Sequence, residues 1–280
     1  MKQKQKKTTF ILLLIFFVGL SVMLYPAISS YWNERTQSKA IIDYENMLQN
    51  MEKKDYTQYF EEADAYNKAL AALPYPLVNY DQAEGYFDIL DLTGTGVMGY
   101  LTIDAIGVEL PVYHGTSDAV LSTAVGHLQG TSFPIGGKGT HACVSAHRGL
   151  PNALLFTHLD YMELGDTFDF TILDRTITYQ VDQIKTVEPD DTRDLAISQD
   201  GEYCTLLTCT PYGINTHRLL VRGRRIESDK QKQLYITSDA HQIDILIVTP
   251  IVALPMLFAL MILVLMTPVK QDNLREEFEL

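Results

Sequence analysis

Short apolar and β-prone runs dominate the middle of this chain. Between about residues 97 and 225 they alternate with turns rich in Gly, Pro, Asn and Asp, which is typical of a β-sandwich or a closed β-barrel. Residues 32–72 differ, because their apolar positions recur at helical spacing and predict one or two helices. The pattern therefore predicts a mainly β domain that follows a helical region.

Two longer apolar segments flank this region, at about residues 10–24 and 245–269. A helix needs about 20 apolar residues to cross a hydrocarbon core of roughly 30 Å, and the second segment meets that length without a charged residue. We expect it to be a transmembrane helix. The first segment favours an uncleaved signal-anchor, with a cleavable signal peptide as the alternative.

Four lysines precede the first apolar segment, and such a cluster favours a cytoplasmic N-terminus. The two spans then place the middle of the chain outside the cell membrane and both termini in the cytoplasm. The predicted organisation is a cytoplasmic N-terminus and signal-anchor at 1–28, a helical linker region at 29–85, an extracytoplasmic mainly β domain at 86–228, a juxtamembrane linker at 229–244, a transmembrane helix at 245–269 and a cytoplasmic tail at 270–280.

Composition narrows the classes of partner. The chain has 280 residues, 46% of them hydrophobic, so it can bury one substantial core. Its formal net charge is −13, whereas affinity for nucleic acid comes largely from Lys and Arg contacts to phosphates. We therefore expect no nucleic-acid partner.

The chemistry points to the run that ends at Cys209. Turn formers, among them Pro211 and Gly213, separate it from a returning β-prone run that begins near Arg218. A hairpin centred between Gly213 and Ile214 pairs Cys209 with Arg218, with a register shifted by one residue through a loop bulge as the alternative. Directly opposed residues have Cβ atoms about 4.5–5.5 Å apart. A thiol beside a fixed positive charge is a nucleophile beside an oxyanion stabiliser, which indicates acyl transfer.

The thiol needs a proton carrier, because a free cysteine with a pKa of about 8.5 is only slightly ionised at neutral pH. His147 is the best candidate, since it ends a buried β-prone run that breaks at Gly149. His141 lies further inside that run. His217 neighbours Arg218 in the chain and should therefore point to the opposite face of its strand.

The three cysteines also bear on disulfides and metals. Cys204 and Cys209 lie on one predicted strand with Cα atoms about 16 Å apart, too far for a disulfide. Cys143 and Cys204 are expected to be small buried core residues. A zinc site built from these cysteines and His147 would be stretched beyond tetrahedral geometry. We expect no metal and no cofactor.

Three sequence motifs together resemble the sortase family. They are T-L-x-T-C ending at Cys209, an arginine nine residues later, and S-A-H-R-G around His147. The fuller run T-C-T-P-Y-G-x-N-x-H-R-L-L-V-R-G is similar to the class C, pilus-assembling branch. The resemblance covers about residues 96–225. It implies a closed β-barrel of about eight strands with short helices, preceded by N-terminal helices and flanked by transmembrane helices.

Position by position, the resemblance implies roles for four residues. Cys209 would be the nucleophile, His147 the acid/base and Arg218 the oxyanion stabiliser. Thr208 corresponds to the family's threonine that precedes the cysteine and lines the substrate groove.

The function implied by the resemblance is that of a membrane-anchored cysteine transpeptidase. It would cleave LPxTG-type sorting signals of pilin or surface-protein precursors between Thr and Gly and join the acyl product to an amine, a pilin lysine. Two alternatives stay open. One is a cell-wall-anchoring enzyme that uses a peptidoglycan amine, and the other is a non-catalytic barrel that binds sorting signals.

The chain departs from the class C pattern at one point. Class C sortases usually carry a lid before the barrel, with an Asp-Pro-aromatic motif that covers the cysteine. Between Ala65 and Tyr100 that triplet is absent, and the segment has the composition of a turn-rich connector. Either the lid is missing or another sequence forms it.

Overall fold

The structure is a computed structural model that describes residues 2–51, 56–227 and 258. From residue 28 onward the described chain up to residue 227 belongs to one compact unit. The predicted linker at 229–244 and the tail at 270–280 lie outside the described residues, as does the apolar segment 245–269 except for residue 258. The proposed domain boundaries stay predictions.

Helices occupy the region before the barrel, where the apolar spacing predicts them. Ile41, Tyr44 and Leu48 are buried at intervals of three and four residues, so this part of the first helix presents one apolar face to the core. The helices are α1 (Lys2–Asn50), α2 (Thr57–Ala71), α3 (Pro76–Asn79) and α4 (Asp118–Leu121), with short 3₁₀ helices at Tyr80–Gln82, Asp104–Ile106, Leu159–Tyr161 and Arg193–Leu195.

Helix α1 includes the first apolar segment. Within the described parts of the chain it is the one helix that is long and apolar enough to cross a membrane, judged by length and composition alone.

Eight strands close into one barrel, which confirms the mainly β prediction. Around the barrel they run in the order β1, β2, β3, β4, β7, β8, β6, β5, and β5 pairs with β1. Two neighbouring pairs, β2–β3 and β4–β7, are parallel and the others are antiparallel. The strands are β1 (Val97–Ile103), β2 (Val108–His114), β3 (Val125–His127), β4 (Thr140–Ser145), β5 (Thr167–Ile172), β6 (Arg175–Val187), β7 (Glu202–Thr210) and β8 (His217–Ile226).

Strand β6 combines two β-prone runs, at residues 176–181 and 184–187. The structure has one continuous strand with a register shift between Val181 and Gln183 where it pairs with β8. A β-bulge of this kind bends a strand without ending it. The inserted residue interrupts the alternation of apolar positions, so the pattern looks like two strands.

Strand β7 carries the cysteine and lies between β4 and β8. Its side chains alternate, so that Cys204, Leu206 and Thr208 are buried toward the barrel interior while Leu207 and Cys209 are half-buried on the opposite face. The candidate site therefore lies on the outer face of the barrel, where β7 ends.

Candidate active site

The hairpin of β7 and β8 pairs Cys209 directly with Arg218, as the turn residues predict. Cys209 is a free, half-buried thiol. Cys143 and Cys204 are also free but fully buried, as expected, and burial raises the pKa of both thiols well above the ordinary range. Of the three cysteines, Cys209 is therefore the one placed to react as a thiolate.

The loop between these strands fixes the guanidinium of Arg218 from one side. Arg218 Nη1 donates to the carbonyl oxygen of His217 at 3.0 Å and to that of Asn215 at 3.3 Å. Both bonds use one nitrogen of a group that has five N–H donors. The Nε and second Nη edge of the guanidinium can therefore bind an oxygen of a ligand.

The same loop is a compact turn. The carbonyl oxygen of Pro211 accepts hydrogen bonds from the backbone N–H of Ile214 at 3.1 Å and of Asn215 at 2.9 Å. Gly213 and Asn215 adopt left-handed backbone angles, with φ of 72° and 62°, and Gly and Asn tolerate this region best. These residue types keep the turn short, and the short turn keeps Cys209 opposite Arg218.

His147 lies two residues beyond the end of β4 and is half-buried. Because β4 and β7 are parallel, with Ser145 paired to Leu207, both strands end at the same edge of the barrel. The backbone N–H of Ala146 continues this pairing and donates to Leu207 O at 3.3 Å. The fold thus brings His147 and Cys209 to neighbouring strand ends, 62 residues apart in sequence.

Thr208 has a different place from the one that the resemblance implies. Its side chain is 1% exposed, and its hydroxyl donates to the carbonyl oxygen of Ala146 at 2.8 Å. It faces the barrel interior, opposite to Cys209. The Thr208 side chain therefore links two strands instead of facing the outer surface. Its inward orientation could be predicted from strand alternation, because neighbouring residues of a strand point to opposite faces.

Two residues that the sequence reasoning did not single out join the loops around the site. The guanidinium of Arg148 forms an ion pair with Asp160 and lies 5.8 Å from the ring centroid of Tyr212. The Tyr212 ring also packs against Gly149, where an added Cβ would come within 3.0 Å of it. Tyr212 follows Cys209 on the β7–β8 loop, whereas Arg148 and Gly149 follow His147.

The other two candidate histidines are engaged elsewhere. The ring of His141 is buried, with Nε2 2.8 Å from Thr205 Oγ1 and Nδ1 2.9 Å from Ala196 O, and burial lowers its pKa below the ordinary value. His217 pairs with Thr210, and its Nε2 lies 3.3 Å from a carboxylate oxygen of Glu188. As its place next to Arg218 predicts, it falls on the opposite side of β8.

A small apolar cluster lies on the same barrel face as Cys209. Its buried members come from β4, β8 and the β6–β7 loop, and Leu207 of β7 packs against them. Leu77 of α3 packs into the same cluster. Leu77 belongs to the segment between Ala65 and Tyr100, whose composition predicts a turn-rich connector. This segment therefore covers part of the face, although it has no Asp-Pro-aromatic motif. The buried and half-buried members are Cys143, Leu195, Leu220, Leu77, Leu128, Val187 and Leu207.

Metal binding has no structural support within the ranges 2–51 and 56–227. No group of three or more His, Cys, Asp or Glu side chains there could hold a metal ion. The expectation that the reaction needs no metal or cofactor stays a prediction.

Comparison with known proteins agrees with this geometry. Residues 101–226 match the model of the sortase domain family. The solved structure of sortase C1 from Streptococcus agalactiae is 47% identical, and the match covers 68% of this chain and 100% of that chain with a TM-score of 0.63. This chain belongs to the sortase family.

Other relatives show which sortases it is most similar to. Sortase C structures from Streptococcus pneumoniae (42% identity, TM-score 0.61, 68% of this chain and 97% of that chain) and Clostridium perfringens (40%, 0.59, 68% and 100%) also match. Sortase D of Bacillus subtilis is 28% identical over 149 residues, 52% of this chain and 72% of the relative. The protein is a sortase most like class C, and hence a cysteine transpeptidase.

Proposed function

We propose that this sortase polymerises pilins, using Cys209 as nucleophile, Arg218 as oxyanion stabiliser and His147 as proton carrier. The observation that carries the proposal is the direct pairing of Cys209 with Arg218 across β7 and β8. His147 supports it, because it stands at the end of the strand adjacent to β7. The pairing provides a nucleophile and a cationic donor on one face, as acyl transfer requires.

The reaction proceeds in two halves. Cys209 Sγ attacks the Thr carbonyl carbon of an LPxTG-type sorting signal, and Arg218 donates N–H groups to the oxygen that becomes negative. Protonated His147 gives its proton to the leaving glycine nitrogen as the Thr–Gly bond breaks, which leaves a thioester on Cys209. An incoming amine attacks that thioester, loses a proton to His147 and releases the thiolate with a new amide bond.

Two class C relatives support the choice of substrate. The work on the Streptococcus pneumoniae enzyme concerns catalysis and pilin substrate specificity, and the Clostridium perfringens enzyme was solved with the C-terminal cell wall sorting motif. The partners proposed for this chain are pilin or surface-protein precursors with such motifs, and the acceptor is a pilin lysine.

Anchoring in the membrane is part of the proposal. Helix α1 is long and apolar enough to span a bilayer, and the lysines before its apolar segment favour a cytoplasmic N-terminus. The barrel then acts outside the membrane. A second span at residues 245–269, which would return the C-terminus to the cytoplasm, rests on sequence alone.

The test uses the full-length protein in detergent with an LPxTG-type peptide and two competing acceptors, a lysine-containing pilin and a cell-wall peptide amine. Mass spectrometry follows the thioester on Cys209, and gel electrophoresis follows covalent pilin ladders. We expect a thioester and ladders with the native chain and neither with Cys209→Ala, while the buried-thiol control Cys143→Ala keeps both. Ladders made by Cys209→Ala would overturn the assignment. Exclusive coupling to the cell-wall peptide would overturn pilin polymerisation in favour of cell-wall anchoring. Binding of the LPxTG-type peptide without formation of a thioester would favour the non-catalytic barrel that binds sorting signals.

A further inference from the structure

The loop that follows β4 carries His147 beyond the last strand pairing, so its position depends on contacts outside the sheet. On one flank those contacts are clear. The carbonyl oxygen of His147 accepts a hydrogen bond from Phe156 N at 3.1 Å, and Gly149 N donates to Thr157 Oγ1 at 3.2 Å. The ion pair of Arg148 with Asp160 adds a third link to the same segment.

On the other flank the loop meets Tyr212. Three atoms of the Tyr212 ring would lie 3.0–3.4 Å from a Cβ added at Gly149, so the ring packs closely over this glycine. Gly149 also has a left-handed φ of 76°, which disfavours any larger residue. The Arg148 guanidinium lies 5.8 Å from the ring centroid, within the range of a cation–π contact.

The exposure of these groups suggests what the contact does. The Arg148 side chain is only 8% exposed, so its guanidinium is held in one place by Asp160 and by its surroundings. Tyr212, in contrast, is 60% exposed and lies outside the barrel core. Removal of its ring would therefore cost the fold little, but it would free one flank of the loop that carries His147.

We propose that Tyr212 and Arg148 form a clasp that positions His147 relative to Cys209, which makes Tyr212 a positioning residue for proton transfer. The proposal rests on the function proposed above for His147. Tyr212 lies three residues after Cys209 on the loop after β7, while Arg148 and Gly149 directly follow His147 on the loop after β4. The clasp thus joins the loop that carries His147 to the loop that follows Cys209. A proton carrier must lie about 2.6–3.2 Å from the group with which it exchanges a proton.

The first test compares Tyr212→Ala with Tyr212→Phe in the full-length protein. A phenyl ring still covers Gly149 and Arg148, so Tyr212→Phe should keep activity near that of the native chain. Tyr212→Ala should lower kcat for peptide cleavage by about 10- to 100-fold with little change in KM, since small misplacements of a catalytic group have effects of that order. The pH–rate profile of Tyr212→Ala should also change. We expect a shift of the limb that depends on His147, which is identified by its absence in His147→Ala.

Ile214→Ala is the matched control, because Ile214 is 67% exposed on the same loop. It should leave kcat and the pH profile unchanged, and thermal unfolding should show all three variants folded. An unchanged kcat in Tyr212→Ala, or an equal loss in Ile214→Ala, would overturn the clasp.

The second test asks whether Tyr212 acts through His147. In a double-mutant cycle, Tyr212→Ala should not lower further the residual activity of His147→Ala, measured as cleaved peptide at high enzyme concentration. A further tenfold loss in the double variant would show that Tyr212 acts elsewhere and would overturn the clasp.

The outcomes separate the clasp from the proposed function. Full activity of His147→Ala would overturn the role of His147 and the clasp with it. A strongly impaired His147→Ala beside a fully active Tyr212→Ala would overturn the clasp alone. Gly149→Ala is a second route to the same displacement, because its methyl group would push against the Tyr212 ring, and it should reproduce the kcat loss of Tyr212→Ala.

Discussion

The hydroxyl of Thr208 donates a 2.8 Å hydrogen bond to the carbonyl oxygen of Ala146. These two residues directly precede Cys209 and His147 in the chain, and both are buried. The bond therefore joins β7 to the exit of β4 one residue before each of the proposed reactive groups. It helps to hold the two strand ends together from the interior side of the barrel.

Removal of this hydroxyl should weaken both stability and turnover. Thr208→Val keeps the shape but leaves the buried Ala146 carbonyl without its donor, which costs about 1–3 kcal/mol. Thr208→Ser keeps the donor and is the matched control. Urea unfolding and kcat measure the two effects. Native-like stability and kcat in Thr208→Val would show that the bond contributes little.

Arg218→Lys should be a poor enzyme although it keeps the charge. An ammonium cannot hold the carbonyls of Asn215 and His217 and still present a planar pair of donors to a substrate oxygen. Loss of one oxyanion donor typically lowers kcat by about 10²–10³-fold, and we expect a loss of that order in single-turnover thioester formation. Arg224→Lys, at an exposed position of the same strand, should react normally. Equal rates in both variants would assign Arg218 to structure alone.

Leu77→Ala should open the barrel face that carries Cys209. Leu77 packs into the apolar cluster that includes Leu207, two residues before Cys209, so its truncation removes part of the cover above that face. We expect faster alkylation of Cys209 by a bulky thiol reagent and faster thioester formation. Val78→Ala is the control, since Val78 is 74% exposed. Unchanged rates in Leu77→Ala would mean that α3 does not limit access.

Stability should fall as the solution is acidified, because His127 is buried as a neutral ring. Burial lowers the pKa of His127 to about 4 from an ordinary value of 6.5. Its Nδ1 lies 2.9 Å from the Tyr86 hydroxyl, its Nε2 lies 2.8 Å from Ser132 O, and the nearby His114 lowers the pKa further. The unfolded chain therefore binds a proton at a higher pH than the folded chain does.

The direction in which the free energy of unfolding changes with pH follows from this difference. The contribution of His127 is complete above about pH 6.5 and is lost as the pH falls toward 4, an effect on the order of 3 kcal/mol. Urea unfolding at pH 7.5 and pH 4.5 measures it. His127→Gln should show a smaller loss between the two pH values than the native chain, with the remainder coming from other groups such as the buried His141. An equal loss in both proteins would contradict a role for His127.

Several features of the site could be predicted from local sequence. The pairing of Cys209 with Arg218 follows from the turn residues between them, since Gly213 and Asn215 accept the left-handed angles that a short hairpin loop needs. The opposite placement of His217 follows from strand alternation. The barrel class follows from the density of short strands between turns, and the sortase motifs agree with it.

Other features depend on contacts between residues far apart in the chain. Thr208 meets Ala146 across 62 residues, and Leu77 of α3 meets the cluster beside Leu207. The bulge in β6 breaks the apolar alternation and so hides the continuity of that strand. Local propensity contains no information about such contacts, because they form only when distant strands and helices pack.

The sequence by itself determined that a thiol faces an arginine, because a hairpin's register is set by the few residues of its turn. Only the tertiary structure decided that His147 and Cys209 lie at the ends of neighbouring strands and that Tyr212 packs over Gly149. The reason is the parallel pairing of β4 with β7, which brings together two strand ends that no local turn connects. The cover that Leu77 provides on this face is likewise a product of packing.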